Sequence, residues 1–97
     1  MKDLCLLDES FIKLKSLILR ENIRQLEKWG IQDHSPSEWL MFTTEELGEL
    51  AEAIGEWQYR GGLVEDVVKE AIQTATLCLK IAEMYRATMV TKEAKHE

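Results

Sequence analysis

Glutamates crowd one short stretch of this chain, where Glu45-Glu46-Leu47-Gly48-Glu49 reads EExxE, and Glu70 and Gln73 follow further on. Residues three or four apart share a helix face, so Glu46 and Glu49 should stand side by side, and like charges at that spacing repel unless a cation lies between them. Oxygen donors with no neighbouring His or Cys suit a hard cation, Mg²⁺ first and Mn²⁺ second, rather than zinc. An EExxE string alone more often marks a solvated helix face than a site. Glu70 sets this one apart. On a helical wheel Glu70 and Gln73 share a stripe with Leu63, Val67, Leu77, Ile81 and Met84. An unpartnered carboxylate inside such a stripe is costly, so it needs a partner charge or a metal. Lys69 and Lys80 are expected to project elsewhere. The company left for Glu70 is Glu46 and Glu49 on the neighbouring antiparallel helix, and a shared cation reconciles the three.

The elements that must hold these groups are set by a few breaks. There is one proline and no low-complexity tract or internal repeat, and the breaks fall at Gly30 and Gly61-Gly62. From about Ser10 to Trp29, apolar residues from Phe11 to Leu26 recur at helical spacing. Ser35-Pro36-Ser37-Glu38 is a capping box with proline at the first helical position, predicting a second helix from there to about Arg60. Its apolar stripe is expected to be Leu40, Leu47, Leu50, Ala51, Ile54 and Trp57, with Glu46 at the edge and Glu52 and Glu56 solvated. A third helix should run from Leu63 to about Ala87. Its apolar residues spread around much of the circumference, so a second copy of the chain is expected to cover Val68, Ile72, Ala75 and Leu79. No stretch shows sustained period-two alternation. The fold class is all-α, an antiparallel helical bundle completed by oligomerisation to a homodimer or tetramer.

Length and composition agree. The 97 residues hold one domain, 1–97, with an ordered core over about 8–88 and a polar, frayed tail over 91–97. Apolar residues make up 45% and charged residues 31%, a folding composition rather than a disordered one. A net charge of -6 argues against nucleic acid or an anionic membrane as partner and suits cations. No apolar run is long enough to span a bilayer and the start does not resemble a secretory signal, so a cytoplasmic location is expected. Cys5 and Cys78 lack metal or redox spacing and are assigned no chemistry.

With these residues in place, the chain resembles the MazG-like nucleoside triphosphate pyrophosphohydrolases, an all-α family whose signature is EExxE followed by ExxD. Glu45, Glu46 and Glu49 match the first part and Glu70 the Glu of the second. Lys28-Trp29-Gly30-Ile31-Gln32-Asp33-His34-Ser35-Pro36 and Trp39-Leu40 are similar to the stretch before the acidic helix in compact phage and bacterial members. The likeness covers about Leu26 to Glu83. One position departs, since Gln73 stands where the family has Asp; Asp66, one turn before Glu70, offers a carboxylate on roughly the same face. The resemblance implies a bundle of the MazG type and Mg²⁺-dependent cleavage of NTP or dNTP to the monophosphate and pyrophosphate. It implies Glu46, Glu49 and Glu70 as metal ligands with Gln73 as a fourth, and Glu45 as the group that orients or deprotonates the attacking water. Lys28 and Arg60 are candidates to meet phosphate, and Trp29 and Trp39 to stack on a base; His34 is a weaker candidate. The alternative is a weak or inactive MazG-like helical module that binds nucleotide or a protein partner.

Overall fold

The computed structural model describes the backbone of residues 8–96 and the side chains of residues 8–89; Cys5 and Glu97 lie outside the described residues. The described residues form three helices: α1 (Asp8–Trp29), α2 (Pro36–Tyr59) and α3 (Val64–His96). Among the described residues there is no strand, and no helix is long and apolar enough to cross a membrane.

Each helix is bounded by local backbone chemistry. Asp8 and Glu9 open α1 and Lys28 closes it, charges that complement the helix dipole. Gly30, at φ 71°, turns the chain out of α1 while its N–H reaches Leu26 O at 2.8 Å. The capping box is formed: Glu38 N donates to Ser35 Oγ at 3.2 Å, and Ser35 N donates to Glu38 Oε1 at 3.0 Å. At the far end of α2, the N–H groups of Arg60 and Gly62 both reach Glu56 O at 2.9 Å, around Gly61 at φ 72°. A Cβ on residue 62 would lie 2.9 Å from Glu56 Cβ, so this turn is tight enough to require glycine. It reverses the chain directly into α3.

Both other helices pack on α3. Trp39 near the start of α2 meets Lys80 late in α3, while Glu46 meets Gln73 earlier, so α2 and α3 are antiparallel. Leu17 and Glu21 of α1 share a groove with Val68 and Ile72, and Gln25 bonds Lys80 further along, so α1 follows α3 in the same direction. Among the described residues the buried apolar ones are Trp39 and Leu77, each 7% exposed, flanked by buried Thr43 and Thr76. Small threonines bring two helix backbones close. Their hydroxyls bond the carbonyls of Trp39 and Ile72, so no polar group is stranded.

Three expectations need correcting. The inward face of α2 is Trp39, Thr43, Glu46, Leu50 and Ala53, whereas Leu40, Leu47, Ile54 and Trp57 are exposed. The large ring of Trp39 and the small side chains of Thr43 and Ala53 set the orientation, not the number of leucines. Glu46 therefore sits in the middle of the contact rather than at its edge. Leu63, expected in the buried stripe of α3, is 62% exposed because it lies in the turn before the helix. Finally, α3 runs to His96 rather than ending near Ala87; the added stretch of sequence has no Gly or Pro, and its Lys, Glu and Ala favour helix.

Replacing Ser35 with Ala should lower stability by about 1 kcal/mol through loss of the cap acceptor. Urea denaturation measures it directly. A change near zero would mean that packing of Trp39, rather than the cap, sets the start of α2.

Candidate metal centre

Glu46 follows Thr43 on the inward face of α2, Glu49 stands at its rim, and Glu70 and Gln73 face them from α3. Glu46 and Glu70 are half-buried and Glu49 exposed; one carboxylate oxygen from each lies within 4.8 Å of the other two. A cation with metal–oxygen distances of about 2.1 Å holds adjacent ligands about 3 Å apart, a gap that small side-chain rotations close. Three carboxylates and no nitrogen or sulfur donor fit a hard divalent cation with water completing its coordination.

Gln73 joins the group in a different way from the one expected. With its amide oriented to satisfy its neighbours, the nitrogen donates to Glu70 Oε2 and Glu46 Oε2, both at 3.0 Å, and the carbonyl oxygen faces donors. Gln73 thus bridges the two helices as a neutral donor between acids. Burial pushes the Glu46 carboxyl up to about 7, helped by its contact with Glu70 and by the negative charges of Glu49 and Glu70. Asp66, the offered substitute for the missing Asp, is exposed and outside the group.

Beside the carboxylates opens a cavity of about 320 Å³ between the three helices, walled by Arg24, Trp29, His34, Trp39, Glu45 and Glu46, with Gln73 at the carboxylate side. Glu45 therefore borders the same space as Glu46 and is itself exposed. Trp29 is half exposed, with Arg24 and Lys28 over its ring at 5.7 and 4.7 Å. Trp39 is buried, meeting His34 and Phe42 edge to face, so it shapes the wall more than it offers a free face. Lys28 is not part of that wall. Arg60 is bound to Glu56 at 2.7 Å and lies about 21 Å of helix away from Glu46, far from the cluster. A larger hollow of about 540 Å³ shares His34 and Trp39 with the first but touches none of the three carboxylates.

Sequence reasoning missed the contribution of α1. Glu21 accepts two 2.8 Å hydrogen bonds from Arg24 and one of 2.7 Å from Gln25, and the Arg24 guanidinium holds the Glu21 carboxyl below its ordinary range. Arg24 also feels the charge of Glu46. Gln25, 8% exposed, accepts from Lys80, whose ammonium lies 5.4 Å from the centre of the Trp39 ring and is lowered in pKa by burial. Lys80 thus projects away from the acids, as expected, and turns inward toward Gln25 and Trp39. The signal was present: Glu21 and Gln25 interrupt the stripe of Leu14, Leu17 and Ile18 as Glu70 interrupts that of α3.

Compared with known proteins, the chain matches no family model, no curated protein and no solved structure.

Because the folded chain raises the Glu46 carboxyl from 4.5 to about 7, folding favours its protonated form. That contribution is full below the unfolded value and is lost as pH rises through about 7. Without added divalent cation, the melting temperature should fall between about pH 5 and about pH 8. Mg²⁺ at the upper pH should restore it, since binding to the native state stabilises it. Glu46→Gln should flatten the pH profile, and a wild-type profile already flat would contradict this electrostatic account.

Proposed function

We propose that this chain is a Mg²⁺-dependent nucleoside triphosphate pyrophosphohydrolase of the MazG-like kind, cleaving NTP or dNTP to the monophosphate and pyrophosphate. The observation that carries the reading is the convergence of Glu46, Glu49 and Glu70 from two helices beside a cavity bordered by Trp29. In it the three glutamates hold the cation. When bound, the cation neutralises phosphate charge and makes a coordinated water more acidic. Glu45, at the edge of the same cavity, orients the attacking water and accepts its proton. Trp29, half exposed at the cavity's edge, meets the base, and Arg24 supplies positive charge next to the acids. Gln73 keeps Glu46 and Glu70 aligned; to act as the fourth ligand it must turn its amide oxygen toward the cation. Such an activity suits a cytoplasmic protein.

The donor role of Gln73 also favours a second reading. A neutral amide between two acids reduces their need for a cation, as expected of a helical module that binds nucleotide or a protein partner without turnover.

The reading includes self-association to a dimer or tetramer, supported by Val68 and Leu79 on α3 and by Leu40 and Leu47 on α2, which are 45–59% exposed. Sedimentation should give a species of two or four chains at micromolar concentration, and a stable folded monomer would remove this part.

Pyrophosphate release across a panel of NTPs and dNTPs with Mg²⁺ or Mn²⁺ separates the two readings. Turnover that falls by roughly a hundredfold or more in Glu70→Gln, and rises in Gln73→Asp, is the expected result. Nucleotide binding without any pyrophosphate release would favour the module.

A further inference from the structure

Gln73 stands between the carboxylate cluster and α1, and its planar amide has partners on both sides. With the nitrogen toward the cluster, it donates to Glu46 Oε2 and Glu70 Oε2, both at 3.0 Å. On the other side is Glu21 of α1. Arg24 first, then Gln25 and Gln73, draw the Glu21 carboxyl below its ordinary range by hydrogen bonding, so the Gln73 side chain reaches both groups. A half-turn of the amide exchanges its two ends. The oxygen then faces Glu46 and Glu70, and the nitrogen faces Glu21.

Glu21 is suited to receive that nitrogen. An ionised carboxylate has about four acceptor positions. Glu21 fills three of them, two with Arg24 at 2.8 Å and one with Gln25 at 2.7 Å, which leaves room for one more donor. Its side chain is only 9% exposed, so water competes little for that position, and the bidentate pair with Arg24 fixes its direction. Arg24 also balances its charge, so Glu21 adds little to the repulsion among the acids. Both orientations of the amide are therefore satisfied, one with the nitrogen between two acids and one with the oxygen turned to a cation.

The structure assigns Glu21 as a positioning residue for the cation site: it accepts the Gln73 amide N–H when the Gln73 oxygen turns toward the cation held by Glu46, Glu49 and Glu70. The assignment rests on the metal centre of the hydrolase reading. It gives α1, which supplies no ligand, a part in metal affinity. A neutral amide binds a cation only through its oxygen, so a group that holds the nitrogen on the opposite side selects the binding orientation. Hydrogen bonds of this kind, behind a ligand, change metal affinity by about 10- to 100-fold. A carboxylate at position 73 presents oxygen either way round and needs no such acceptor.

The test is the Mn²⁺ affinity of the full chain, titrated by the free Mn²⁺ signal, for Glu21→Leu in two backgrounds, wild type and Gln73→Asp. Leucine continues the stripe of Leu14 and Leu17, and thermal melts check that each variant folds. Glu21→Leu should weaken Mn²⁺ binding about tenfold or more in wild type, and less than about twofold in the Gln73→Asp background, where no amide needs holding. Arg24 is freed in both backgrounds alike, so its effect cancels. Equal weakening in both makes Glu21 a distant charge or a structural residue and overturns the proposal, as does no weakening in wild type. A measurement on the unmutated chain stands if the variant does not fold. With saturating Mg²⁺, the Gln73 side-chain amide protons should show nuclear Overhauser contacts to the Glu21 side chain, and their absence overturns the proposal. The two readings also fail separately. Mn²⁺ binding indifferent to Glu21, with pyrophosphate released from NTP, removes the positioning role and leaves the hydrolase; background-dependent weakening without turnover does the reverse.

Discussion

Three carboxylates pressed together at a helix contact are the constraint around which this small chain is arranged. Glu46 is forced into the group because α2 turns Trp39, Thr43 and Ala53 toward α3, and a residue seven positions after Trp39 must face the same way. Glu70 is forced in because its stripe contains Val67 and Leu77. The apolar and small side chains that hold the hairpin together thus compel acids to meet, at a cost visible in the high pKa of Glu46. Two devices offset that cost without a metal: protonation of Glu46 and the bridging amide of Gln73. In the proposed reading a divalent cation would be the third and the strongest, since it would oppose all three charges at once.

Around that centre, α1 acts as more than a packing strut. Its inward face carries Glu21 and Gln25 where a plain bundle helix would carry apolar residues, and both are used. Glu21 fixes Arg24 toward the acids, while Gln25 takes up the ammonium of Lys80 so that Trp39 can be buried beside a charge. One buried amide therefore separates two tasks, keeping a lysine away from the carboxylates and leaving an arginine beside them. The result is a negative cluster beside an aromatic-walled cavity, with Arg24 at the cavity's edge.

Much of this was legible in the sequence because it depends on local rules. The capping box at Ser35, the stops at Gly30 and Gly61, and the three helices follow from backbone preferences that tertiary packing does not override. Glu46, Glu49 and Glu70 were readable as a group because an acid inside an apolar stripe demands an explanation. What was not legible required knowledge of which side of a helix faces inward. Leu40, Leu47, Ile54 and Trp57 of α2 form one stripe and Trp39, Thr43, Leu50 and Ala53 another, and composition cannot rank two apolar faces. The same ambiguity hid Arg24, a residue whose partner Glu21 lies on its own helix but whose target lies on another. Arg60 was a candidate phosphate contact from its place near a helix end, but the structure pairs it with Glu56, far along α2 from the acids.

The central claim, that Glu46, Glu49 and Glu70 together hold a divalent cation, is tested most directly by electron paramagnetic resonance of Mn²⁺. Addition of the chain near neutral pH should diminish the free Mn²⁺ signal, and excess Mg²⁺ should bring it back by competition. A Glu46→Gln/Glu70→Gln variant should leave the signal untouched. A free Mn²⁺ signal that wild type does not reduce, or that wild type and variant reduce equally, would contradict the account.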